Sequence, residues 1–217
     1  MVGQGVLREC LLDPEVERVL TLGRTAPEVS NPKLQNIVQL DMFHYASIEP
    51  QLTGLDACFF CLGVSAAGLS EEQYEKLTYT LTLAAAETLS RLNPAMTFVY
   101  VSGAGTDSSE KGRMMWARVK GKTENALLRM PFKSAFMFRP GIIQPAHGER
   151  SKTRAYRIGY ILFRPMFPLL RILFGRQILT TEEIGRAMLN VVLRGAPKKI
   201  LEISDIAACA RPASAAS

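Results

Sequence analysis

Thr97-Phe98-Val99-Tyr100-Val101-Ser102-Gly103-Ala104-Gly105 decides the fold. Its first five residues show no alternation of polar and apolar character, as expected of a strand covered on both faces in a parallel sheet. A glycine-rich turn follows, and Met114–Arg129 then carries a helical pattern. Ser102 therefore stands at the carboxyl end of a buried strand, the edge where open α/β sheets bind ligands.

Working outward, Ala57–Leu62 has the same two-sided apolar character and reads as a second central parallel strand. Further strands are expected at Arg18–Leu22, Asn36–Leu40, Ala135–Arg139 and Lys199–Ile203. Ser70, with Gln73 in the capping-box position, opens a long helix to about Leu92, and Thr180 with Glu183 opens another to Leu193. Apolar helical segments are expected between Ala155 and Phe174. The chain begins in a helix, from about Gly3 to Leu12, whose apolar stripe is Val6, Leu7, Cys10 and Leu11. Asp13-Pro14 ends it, because proline disfavours helix in the residue before it.

Alternating strands and helices give an α/β fold. The expected architecture is a Rossmann-like three-layer αβα sandwich with a mostly parallel, doubly wound sheet. One domain covers residues 1–210, with 144–180 as a substrate-side lid and 211–217 as a frayed tail. Sheets of this kind open with a strand that delivers a glycine turn into the first helix. Here the first helix begins near residue 3, so the first β-strand is expected to be absent from this chain. Two strand edges are then open and half of a phosphate cradle is gone, which predicts poor nucleotide binding or an unstable chain.

Composition narrows the function. The chain has 217 residues, 47% hydrophobic and 21% charged, enough for a sizeable core and too apolar for intrinsic disorder. Four cysteines exclude a disulfide-scaffolded module. No apolar run reaches the ~18 residues of a membrane span, and Met1-Val2-Gly3-Gln4-Gly5 lacks a signal-peptide layout, so a cytoplasmic setting is expected. The formal charge of +6 favours anionic ligands. Residues 150–176 concentrate it, with six Arg, one Lys and no acid. Arg157, Arg164 and Arg171 recur at seven residues among apolar side chains. Such a stripe can meet an anionic membrane surface or an acidic protein partner, but a core-facing amphipathic element explains it better. No recognition motif points to nucleic acid.

Gly3 and Gly5 sit at the start of the first helix, and Gly23-Arg24 follows the next strand. Glycine at a helix N-terminus admits a pyrophosphate to unbonded N–H groups, and an Arg after the following strand can fork onto a ribose 2′-phosphate. Cys58 and Cys61 lie three apart in a strand and so face opposite ways, which reads as core rather than as a thiol pair. His44 has no spaced partners, so no metal site is expected.

With Ser102-Gly103-Ala104, Val119-Lys120-Gly121-Lys122-Thr123-Glu124 and Phe138-Arg139-Pro140-Gly141 added to these glycines, the chain resembles the atypical short-chain dehydrogenase/reductases. It looks most similar to the NAD(P)-binding branch related to the Tat-interacting tumour-suppressor protein. The resemblance covers Met1 to about Ile206. It implies that Gly3 is the third glycine of the dinucleotide fingerprint and that Arg24 selects NADP, with NAD still possible. It implies adenine contacts at Asp41 and Met42, and a turn over the adenosine half at Leu62 and Gly63. Pro140, Gly141, Ile142 and Ile143 would lie beside the nicotinamide. Ser102 would polarise a substrate carbonyl or hydroxyl, and Lys120 would hold the nicotinamide ribose.

The family's Tyr-x-x-x-Lys reads Trp116-x-x-x-Lys120 here. Indole has no usable acidic proton, so the usual proton donor is missing. Tyr156 and His147 could stand in as the acid, although a structural Tyr and a solvated His explain them more simply. The function expected is therefore an NADP-linked oxidoreductase or epimerase on a small molecule. Its rival is a non-catalytic protein that senses the dinucleotide or meets a protein or membrane partner.

Overall fold

The computed structural model describes residues 1–146 and 178–211. The expected helical segments between Ala155 and Phe174, Tyr156, His147, the basic stretch 150–176 and most of the 144–180 lid lie outside those residues.

Helix α1 (Val2–Leu12) opens the chain. Strands β1 (Val19–Gly23) and β2 (Leu34–Val38) follow, then a 3₁₀ turn over Ala46–Leu52. After β3 (Ala57–Phe60) come the short α2 (Glu71–Glu75), a π turn over Lys76–Thr80 and α3 (Leu81–Leu92). Strand β4 (Thr97–Val101), helix α4 (Met115–Leu128), β5 (Ser134–Phe138) and β6 (Ile142–Gln144) lead to β7 (Ile178–Thr180). Helix α5 (Thr181–Arg194), β8 (Ile200–Leu201) and α6 (Ile203–Cys209) close the described chain.

Strands β3-β4-β5-β8 form one four-stranded parallel sheet, and β1-β2 a separate parallel pair. Strands β6 and β7 pair in parallel at one end. Alternation along the strands sends side chains into two cores. One holds Val99, Phe136 and Phe138 against Val6 and Cys10 of α1, Ile184 and Met188 of α5 and Ile206 of α6. The other holds Phe98, Tyr100 and Met137 against Ala85 and Leu89 of α3 and Leu127 of α4. Helices thus cover both faces, which is the expected three-layer α/β architecture. Strand β4 sits deepest, with Phe98 and Val99 fully buried. Phe60 stacks on Phe98 at 5.9 Å between ring centroids, and Phe98 on Phe132 at 4.9 Å.

The sheet is interrupted between β1 and β3, where a first strand was expected to be lacking: among the described residues no strand joins the two pieces. Among the described residues β3 pairs with β4 alone, and Ala57, Cys58 and Phe59 are half-buried.

Three boundaries need correction. The second strand runs over Leu34–Val38 rather than Asn36–Leu40, and Leu40 is 79% exposed. Only Ile37 of that strand is buried, so the apolar pattern could not fix its register. The helix from Ser70 has its capping box but is interrupted over Lys76–Thr80, where the Leu81 N–H reaches back five residues to the Lys76 carbonyl. The last strand is only Ile200–Leu201, because Glu202 and Asp205 form a reciprocal cap that starts α6 at Ile203. Both partners are acidic, outside the usual Ser/Thr-led signature.

Helices α1 and α5 cross through glycine. A Cβ on Gly5 would stand 2.4 Å from the Thr181 carbonyl oxygen, and one on Gly185 would stand 2.8 Å from the Gly5 backbone. Gly5 is thus buried in a helix crossing and its N–H donates to the Met1 carbonyl, which corrects the expectation that it admits a phosphate. Gly185→Ala is expected to cost about 1–3 kcal/mol, because rigid backbone would have to move to admit a methyl. Chemical denaturation of the variant checks it, and an unchanged midpoint would mean that the crossing is loose.

Candidate functional site

Within each sheet the strands are parallel, so the carboxyl ends of β1 and β2 share one edge and those of β3, β4, β5 and β8 another, and the sequence-selected residues follow these ends. Arg24 follows β1, Asp41 and Met42 follow β2, Leu62 and Gly63 follow β3, Ser102 follows β4, and Pro140 and Gly141 follow β5. Ile142 and Ile143 open β6.

Helix α1 starts at the same edge. A Cβ on Gly3 would lie 3.4 Å from the Cys61 Cβ, so the first turn sits beside the end of β3. Val2 and Gly3 open α1, and the first N–H groups of a helix have no intrahelical acceptor, which puts donors at its positive end. A Cβ on Gly63 would meet nothing within 4 Å, so there is open space above this turn. Arg24 is exposed and makes no ion pair among the described residues. Asp41 is exposed too. It holds His44 Nδ1 at 2.7 Å and accepts the Phe43 N–H, and these bonds keep its carboxyl below the usual range. Met42 points inward at 6% exposure and accepts the Tyr45 hydroxyl on its carbonyl at 2.9 Å. Only its backbone faces this rim.

Ser102 and Lys120 are brought together. Helix spacing puts Trp116 and Lys120 on one face of α4, and the Lys120 ammonium donates to the Ser102 carbonyl. Burial pulls the Lys120 amine down from 10.5 to about 8, against the opposing pull of the Glu124 carboxylate. Trp116 lies over the glycine turn, its ring 3.5 Å from where a Cβ on Gly105 would stand. Gly105 has φ of 84° and Gly103 of 150°, so both positions suit glycine. Helix α4 packs tightly on this loop, since a Cβ on Gly121 would fall 1.8 Å from the Asp107 carbonyl oxygen.

Beneath Ser102 lies a charged network that sequence reading did not assign. Glu124 has no exposed surface. Its carboxylate accepts the Ser102 hydroxyl at 2.5 Å and the Arg139 guanidinium at 2.5 and 3.1 Å. Arg139 also donates to Ser108 Oγ at 2.6 Å and to Glu202 at 3.0 Å. The Ser102 hydroxyl is further bound to the Phe138 carbonyl at 3.1 Å, so in this structure it faces inward. The available signal was Glu124 four residues after Lys120, together with an Arg closing an apolar strand.

Cys58 packs into one core and Cys61 against the other, so the two thiols do not converge. Burial pushes Cys61 up to about 12, far from a thiolate at neutral pH.

No family profile matches the chain. It is 32% identical over 161 residues to protein fmp52, mitochondrial, of Emericella nidulans, a match covering 71% of this chain and 66% of that protein. Among solved structures it is similar to the dTDP-glucose 4,6-dehydratase DesIV of Streptomyces venezuelae with NAD and TYD bound. There the TM-score is 0.64 and identity 16%, over 93% of this chain and 72% of that one. It is also similar to the ADP-L-glycero-D-manno-heptose-6-epimerase of Helicobacter pylori, with a TM-score of 0.65 and 14% identity over 93% and 72%. The fold is the Rossmann type of these enzymes. The expected cytoplasmic setting is overturned, because the sequence relatives are mitochondrial proteins by name. Among the described residues no helix is long and apolar enough to cross a membrane.

Proposed function

We propose that this chain is an NADP-binding protein of the atypical short-chain dehydrogenase/reductase type, acting as an oxidoreductase or epimerase on a small molecule. The observation that carries it is that Gly3 of α1 lies against Cys61 after β3 and Lys120 binds the Ser102 carbonyl after β4, with Gly63 following β3 and Arg24 following β1. These residues fit a dinucleotide. The first turn of α1 offers N–H donors to a pyrophosphate, open space at Gly63 admits the adenosine half, and Arg24 is placed for a 2′-phosphate.

When bound, the nicotinamide supplies hydride exchange. Lys120, held by the Ser102 carbonyl, is the group to grip the ribose beside it. Pro140, Gly141, Ile142 and Ile143 wall the reacting end. To polarise a substrate oxygen, Ser102 would turn its hydroxyl away from Glu124. Asp41 stands at the rim for the adenine, and Met42 contributes backbone alone.

Calorimetric titration of the folded chain with NADPH and NADH tests this. NADPH is expected to bind about tenfold or more tighter than NADH, and Arg24→Ala to erase that preference, in line with a charge-assisted hydrogen bond. Lys120 is cationic below about pH 8 and neutral above it, so affinity should fall as pH rises through 8. No heat with either nucleotide would overturn the reading.

One observation favours a second reading, a dinucleotide-sensing protein without catalysis: an indole occupies position 116, where the group's proton donor stands.

A further inference from the structure

We propose that the substrate of this site is an apolar carbonyl compound, a hydrocarbon chain or ring carrying one carbonyl or hydroxyl oxygen, rather than a nucleotide-linked sugar. The inference rests on the reading of Ser102 and Lys120 as the reacting end, and it adds the substrate class. Large apolar side chains are exposed where the strands of the four-stranded sheet end. Leu62 and Val64 follow β3, Met114 stands just before α4 at 59% exposure, and Ile142 opens β6 after β5 at 55%. The register brings the first of these level with Ser102. Phe60 pairs with Tyr100, so Leu62 and Ser102 each stand two residues beyond one paired position. The Ala104 N–H donates to the Pro140 carbonyl at 2.9 Å, which ties the turn after β4 to the turn that leads into Ile142. Exposed apolar surface gathered in this way marks a binding groove.

The apolar surface continues inward to the reacting end. Trp116, the single tryptophan of the chain, is half-buried over the glycine turn, 3.5 Å from where a Cβ on Gly105 would stand. It lies one helical turn from Lys120, so its indole puts a broad apolar face beside the groups that would meet a substrate oxygen. Polar side chains around it are already engaged. Thr106 donates its hydroxyl to the Gly103 carbonyl at 2.7 Å, and the Asp107 carboxylate is held by Ser109 and by the Gly112 N–H. Lys120 donates to the Ser102 carbonyl. Within this turn that leaves the Ser102 hydroxyl to swing toward a substrate. A sugar brings several hydroxyls, and each would be desolvated against indole and aliphatic carbon without a partner. A hydrocarbon with one oxygen fits instead: Ser102 takes the oxygen, and Trp116, Met114 and Ile142 take the rest.

Because Trp116 is the single tryptophan, its fluorescence reads occupancy without turnover and without nucleotide. Straight-chain ketones from 2-pentanone to 2-undecanone, titrated into the folded chain, should shift its emission to the blue. Their affinity should rise about fourfold for each added CH₂, as burial of hydrocarbon predicts. Met114→Ser and Ile142→Ser should each weaken the longest ketone about fivefold and keep the parent melting temperature, because both side chains are exposed. Leu12→Ser, at an exposed apolar position on α1, should change neither. Flat affinity along the series would overturn the proposal. So would equal weakening by Leu12→Ser, which would make the binding non-specific adsorption, or an emission shift with dTDP-glucose but not with the ketones, which would assign a sugar. NADPH titrated separately keeps the two readings apart. Length-dependent ketone binding without NADPH binding would overturn the nucleotide reading and leave the apolar subsite standing, whereas NADPH binding with flat ketone affinities would do the reverse.

Discussion

Glu124→Ala should destabilise the protein by about 3–5 kcal/mol, the range for removing one partner of a buried ion pair. For a chain of this size that lowers the melting temperature by about 10 °C. The size of the effect follows from what is left behind. Glu124 has no exposed surface, and its loss strands the Arg139 guanidinium, which is 10% exposed. Glu202 remains as a partner at 3.0 Å, but it is half exposed and holds only one of the guanidinium nitrogens. The Ser102 hydroxyl loses its acceptor too, although the Phe138 carbonyl remains. Ser102→Ala, by comparison, should cost about 1 kcal/mol, because it removes one hydroxyl donor, shared between Glu124 and the Phe138 carbonyl, and leaves the ion pair intact. Thermal and denaturant unfolding of the two variants measure this ordering. Equal losses would mean that the ion pair is not what ties β4, α4 and β5 together.

Trp116→Tyr should bring NADPH-dependent reduction of a panel of small carbonyl compounds about a hundredfold above the background of the parent chain, the low end of what a positioned general acid contributes. Position 116 shares a helix face with Lys120, so a phenol there gains a cation nearby that favours its ionised form. That help requires a charged lysine. With the Lys120 amine at about 8, the support is present below that pH and fades as pH rises through it. Steady-state rates across pH 6–9 would show the decline. Tight NADPH binding by the variant without turnover would mean that more than the phenol is missing, and would favour the sensing role.

Much of the fold was legible because certain residues speak unambiguously. Thr97–Val101 and the cappings at Ser70 and Thr180 each combine burial or hydrogen bonding with a pattern few other structures share. The opposite facing of Cys58 and Cys61 followed from strand geometry alone. Other features left weak traces. The 3₁₀ turn over Ala46–Leu52 contains Pro50 and buries only Ile48 and Leu52, too little for a periodic signal. Strands β6 and β7 are three residues each and find one another across more than thirty residues, which no local pattern encodes.

The site was half legible. Arg24, Ser102 and Lys120 could be placed because each sits at a fixed offset from a recognisable element. Ser102 and Lys120 do meet, but through a carbonyl rather than the hydroxyl. The Glu124–Arg139 pair was hidden because buried charge has no sequence signature until the elements that enclose it are assembled. Gly5 misled for a related reason: a glycine at a helix start suits a ligand and a neighbouring helix equally, and the Thr181 backbone decides between them.

The glycine crossing of α1 and α5 also bears on how the chain folds as it is made. It joins Gly5 to Gly185, so α1 finds its main partner only after the polypeptide between them has been made. Contacts of such sequence separation close large loops and are gained late. Until then α1, with Val6 and Cys10 uncovered, is exposed to chaperones and to self-association, and truncation before Thr181 would leave it in that state.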